Sequence, residues 1–171
     1  MMTMIRGRSS RGQTMVEFAL ILPILTLLLA GFWDLGRVVL AGDALNHAAR
    51  EAARYAIVHG GSIQNPCPVG PLSEDWEAPP AATADCPHPS PSKESIYQEA
   101  RDSAAIGGMT VTVEVCYGQG CSGNTDAAGA TNERGTPVTV TVHTTVGMGA
   151  PALLGFSSFD VSASSTMLVN H

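Results

Sequence analysis

The feature that most constrains this chain is an uncharged apolar run, Phe18 to Trp33, in which Leu and Ile predominate. Its 16 residues would span about 24 Å as a helix at ~1.5 Å per residue, slightly less than the ~30 Å of a hydrocarbon core. Extending the helix back to Gln13 makes the span long enough and places one carboxylate, Glu17, within it. An ionisable group at membrane depth costs roughly 2.5–3.5 kcal/mol or more unless it snorkels or is paired. Arg6, Arg8 and Arg11 precede the run with no acid among them, which predicts a cytoplasmic N-terminus and a chain that leaves outward. The expectation is a single-pass anchor that carries its own acid.

A short basic leader ending in Gly12, then four residues, then Glu17-Phe18 opening a hydrophobic helix resembles the prepilin-peptidase site of type IV pilin-like proteins. The longer stretch from Arg11 to Ala56 resembles the TadE-like family of tight-adherence pilus assembly proteins. The likeness is carried by Val16-Glu17-Phe18-Ala19-Leu20, Leu22-Pro23, Gly31, Asp34-Leu35-Gly36-Arg37 and the run Ala48 to Ala56. It covers about a quarter of the chain, and the rest inherits nothing from it. The resemblance implies processing between Gly12 and Gln13 by a prepilin peptidase. It also implies an assembly role for Glu17, paired with the N-terminal ammonium of a neighbouring subunit. The partners implied are the cytoplasmic membrane, pilin-like subunits and their assembly machinery. The implied location is the cytoplasmic (inner) membrane, with the N-terminus in and the C-terminal domain outside.

Charge divides along the chain. The net charge is −6, yet beyond Trp33 six basic residues face fourteen acidic ones, a balance of −8. An acidic exported part argues against nucleic acid as a partner. Aromatics make up only 5%, so the part outside the anchor has a modest core. All four cysteines, Cys67, Cys86, Cys116 and Cys121, follow the anchor. An even count in an exported segment reads as two disulfides. Three connectivities are possible, and sequence order favours Cys67–Cys86 with Cys116–Cys121.

Taken in order, residues 1–12 read as a basic leader and 13–33 as the transmembrane half of a long helix. The competing reading, an ordinary signal peptide, lacks a good small-x-small cleavage site next to the run. Pro23 favours a kink that membrane helices tolerate. Residues 34–61 continue the helix as an amphipathic half. Leu35, Val38, Val39, Gly42, Leu45, Ala49, Ala52, Ala53 and Ala56 form one stripe; Asp43, His47, Arg50 and Arg54 form another face. A stripe of small residues lets a second backbone approach closely, either this protein's own sheet or a neighbouring helix. Gly60-Gly61 stops the helix.

Residues 62–91 hold eight prolines and read as a loop. Residues 92–171 read as a small extracytoplasmic α+β domain. It opens with a helix from Ser92 to about Ile106 and continues with three alternating strands: Met109 to Tyr117, Thr136 to Val146 and Phe159 to Val169. The fold class is therefore α+β: a long N-terminal helix, a short helix and a three-stranded antiparallel sheet with one face packed.

No constellation reads as catalytic, and no cofactor or metal is expected. His59, Cys67, Cys86 and His88 lack a zinc-knuckle spacing. Asn124, Asp126 and Glu133 lack the regular acids of a calcium loop. There is no Gly-x-Ser-x-Gly elbow and no Gly-rich phosphate loop after a strand. The function expected is association rather than enzymatic catalysis, as a pilin-like component of a tight-adherence pilus assembly or secretion system. The alternative is an exported ligand-binding or adhesive module that uses the helix only as an anchor.

Overall fold

The computed structural model describes residues 11–60, 67–72, 86, 92–105, 109–149, 155 and 158–170. Most of the basic leader, most of the Pro-rich loop and the expected end of the second helix at Ile106 lie outside the described residues. Five elements follow one another: α1 (Arg11–Val58), α2 (Glu94–Ala104), β1 (Thr112–Tyr117), β2 (Pro137–Gly147) and β3 (Ser158–Leu168). The strands form one antiparallel sheet in the order β1-β2-β3. Val115 is opposite Val140, and Val142 is opposite Ala163. The class is α+β.

The two halves of α1 have different surroundings. From Gly12 to Leu29 every residue is exposed, Leu20, Ile24 and Leu28 among them. Beyond Asp34 one face is buried. Ala41, Ala44, Leu45, Ala48, Ala49, Ala52, Ala53 and Ala56 are all buried, and they sit three or four residues apart as a helical stripe requires. With methyl side chains along this stripe, the sheet comes close to the helix backbone. Val113, Val115 and Tyr117 of β1 and Val138, Val140 and Val142 of β2 close the core from the other side. The packing face of α1 is thus taken by the chain's own sheet and by α2, which adds Ile96, Ala100 and Ala104. Fully burying one such Val or Leu contributes about 1.5–3 kcal/mol.

The stripe differs from the expected one below Leu45. Leu35 and Val39 are exposed and Gly42 is only half-covered, while Ala41, Ala44 and Ala48 are buried. Where a helix is apolar all round, hydrophobicity cannot reveal which side faces the sheet. The expected boundaries also move: β1 begins at Thr112 rather than Met109, α2 at Glu94 rather than Ser92, and β2 and β3 each shift by one residue at both ends. Ser92 instead accepts the Glu94 N–H on its hydroxyl at 2.9 Å, using one of the donors left open at a helix start. Phe159, expected on the packed face of β3, is 52% exposed.

The two sheet edges are treated differently. At β1, Asn124 Oδ1 accepts Val115 N–H at 2.9 Å and Asp126 Oδ1 accepts Tyr117 N–H at 2.8 Å. Lys93 Nζ donates to Val115 O at 2.8 Å and pairs with Asp126 at 2.7 Å. The loop after β1 therefore supplies side chains where a further strand would otherwise pair.

Candidate functional site

The candidate site lies along α1 and has an inner end, a junction and a stapled outer part. At the inner end, Gly12 and Gln13 occupy the first turn of α1, where N–H groups have no intrahelical acceptor. A Cβ added at Gly12 would meet nothing within 4 Å. Gln13 Nε2 donates to Glu17 Oε1 at 3.2 Å, so positions 13 and 17 face each other one turn apart. Both are exposed. Farther along, Pro23 sits inside the helix and cannot donate to the carbonyl four residues back. Thr26 adds a hydroxyl bond to Leu22 O at 2.7 Å, and α1 continues without a break.

The junction is at Asp34 and Arg37, which belong to the segment carrying the resemblance but had no role assigned from sequence. Asp34 is only 6% exposed, and its carboxylate accepts Gly149 N–H at 3.0 Å. Arg37 Nη1 donates to Gly147 O at 3.3 Å. The first acid and first base after the apolar run therefore tie α1 to the end of β2. A charge pair three residues apart, directly after an uncharged run, is the sequence signal that marked them. Beside Arg37 lies an open cleft of 610 Å³ lined by Leu40, Met109, His143 and Thr145.

In the outer part, Cys67 is bonded to Cys86 and Cys116 to Cys121. The first bridge belongs to the segment between α1 and α2; the second closes the turn that follows β1. His59 ends α1: its ring stacks on Tyr55 at 4.0 Å and its Nδ1–H donates to Tyr55 O at 3.0 Å. Among the described residues no three of His, Cys, Asp or Glu are grouped to hold a metal ion. Asn124 and Asp126 cap β1, and the cation they meet is Lys93. Glu133 is exposed. His143 is half-buried on the hydroxyl-rich face of the sheet, opposite Thr112 and Ser162.

Two tyrosines near this cap are shifted. Burial, reinforced by Asp126 and Tyr97, pushes the Tyr117 hydroxyl well above the ordinary tyrosine range. Burial, then Glu94 and Asp126, raises Tyr97 as well.

These features define a class: an α+β domain built directly on the C-terminal half of a single helix, whose N-terminal half is apolar and uncovered. Residues 12–54 match the family model described as TadE-like protein, so the resemblance read from Glu17-Phe18 and Asp34 to Arg37 holds over a quarter of the chain. Neither the curated proteins nor the solved structures include a match to the chain.

Proposed function

We propose that this chain is a membrane-anchored, pilin-like component of a tight-adherence pilus assembly system. In this reading α1 crosses the cytoplasmic membrane once, the basic end stays inside, and the domain stands outside. The work of the protein is association with pilin-like subunits and assembly machinery through α1. The observation that carries the reading is the exposed apolar half of α1 within the TadE-like match. That half is long and apolar enough to cross a membrane, and its side chains are exposed among the described residues. Gly12, Gln13 and Glu17 are the processing and assembly residues of this reading. Cleavage would generate an ammonium one turn from Glu17, and a nearby opposite charge favours the ionised carboxylate.

The test is topology together with association. A reporter active only outside the cytoplasm, fused after His171, is expected to give signal, and the full chain is expected to co-purify from membranes with pilus components. A cytoplasmic readout would overturn the architecture. A correct topology with no pilus component bound would favour the anchor-only module.

A further inference from the structure

The apolar surface of α1 does not stop at Trp33. Leu35, Val39 and Leu40 are 59%, 56% and 67% exposed. The charges that interrupt them in sequence, Asp34 and Arg37, are turned to the domain and tied to Gly149 and Gly147. Phe159 stands at the same end of the sheet, because its β2 partner is Val146, next to Gly147. The corner at Gly149 opens into an apolar groove of 800 Å³ that runs along Trp33, Ala30 and Leu27 towards Leu22. In sequence, no charge occurs between Arg134 and Asp160, and Asp160 belongs to the hydroxyl face, where it accepts from Thr145 at 3.0 Å.

Height above the membrane follows from the rise of the helix. With the span ending at Arg37, Leu40 stands about 4.5 Å above its end at ~1.5 Å per residue, inside an interfacial layer of about 5–8 Å on each side. The ties at Asp34 and Arg37 prevent the domain from standing off on a linker. We infer, on the reading that α1 spans a membrane, that the domain is seated in the headgroup layer on its own side. The contacts are Leu35, Val39 and Leu40 of α1 and, at the same end of the sheet, Phe159 of β3. The occupant of this surface is the bilayer, because the surface is continuous with the anchor and held at that height by the chain itself.

The seating also sets the membrane register. A span of about 20 residues crosses ~30 Å, and running it from Phe18 to Arg37 leaves Glu17 at the inner boundary instead of inside the hydrocarbon. Asp34 then lies in the last turn of the span, covered by the domain and holding a backbone donor. Arg37 reaches the headgroup level, where a guanidinium is favoured.

The test uses the full chain in phosphatidylcholine–phosphatidylglycerol vesicles. The native cysteines leave no free thiol, so spin labels attach only at Leu27→Cys, Leu40→Cys, His47→Cys, Phe159→Cys or Ser164→Cys. All five positions are exposed, and labelling there spares the core. Collision with oxygen and with a water-soluble nickel chelate reports depth. Position 27 is expected in hydrocarbon, 40 and 159 at the interface with loss of chelate collisions, and 47 and 164 in water. Position 27 deep with 40 and 159 in water would overturn the seating and leave the anchor intact. Position 27 in water would overturn both. Protection of 40 and 159 from both agents would mean a second protein covers them, which also overturns the proposal.

Discussion

Tyr117 and Asn132 carry the two buried side-chain polar atoms without a hydrogen-bond partner among the described residues. The Tyr117 side chain is fully buried in the core, and its hydroxyl has no hydrogen-bond partner. An unpaired buried hydroxyl costs roughly 1–3 kcal/mol relative to one left in water. Tyr117→Phe should therefore leave stability at neutral pH unchanged or raise it by up to ~1 kcal/mol. The alkaline side supplies a second readout. The folded-state pKa is raised above the unfolded value near ~10, so this group's contribution is fully present below that pH and is lost as pH climbs towards the folded value. Thermal unfolding against pH should show a decline above pH ~10 that is shallower in the Phe variant. Phenolate absorbance from Tyr117 should appear only together with unfolding. Gly70 leaves the room this ring occupies: its φ is +83°, and a Cβ there would run into the Tyr117 ring and hydroxyl. Gly70→Ala should cost at least ~1–3 kcal/mol, seen as a lower Tm of the full chain in detergent.

At the scale of elements, the seam between α1 and the sheet decides stability. Ala49 is 1% exposed and lies in the core cluster, so Ala49→Leu has no room and should destabilise by ~1–3 kcal/mol. His47→Leu, on the exposed face, should change stability by no more than ~0.5 kcal/mol. Equal effects in the two variants would mean that the seam does not hold the domain together. The outer end of this seam was legible in sequence because Leu45, Ala49, Ala52, Ala53 and Ala56 alternate with Asp43, His47, Arg50 and Arg54. The inner end was not, because Leu35 and Val39 outweigh Ala41 and Ala44 in hydrophobicity yet are exposed. The strands were legible through their Val–Thr alternation. The cap on β1 was not, since Asn124 and Asp126 come from the irregular loop after β1 and Lys93 from before α2, and the three meet only in the fold. The tie of Asp34 and Arg37 to Gly147 and Gly149 was hidden for the same reason: its partners are backbone atoms 110 and 115 residues away.

For the whole molecule, the proposed reading links maturation to assembly, and the geometry of the inner end gives the order. The bond after Gly12 lies in the first turn of α1, where few hydrogen bonds must break for a peptidase to reach it. Cutting there removes Arg11 and everything before it, and leaves an ammonium on Gln13. In the uncut chain Glu17 has the neutral amide of Gln13 at 3.2 Å, which supplies a hydrogen bond but no charge. The cut end would supply the charge to a neighbouring subunit at the same level, so only processed chains would pair strongly. Gly12→Leu should block processing and leave the full-length form in the membrane. Glu17→Ala should still be inserted and cut, because neither step uses the carboxylate, but should lose co-purification with pilin-like partners. Mass spectrometry of the N-terminus reads the first step and co-purification the second. A mature start near Gly42 would indicate an ordinary signal peptide, and an uncut chain that still assembles would separate Glu17 from processing altogether.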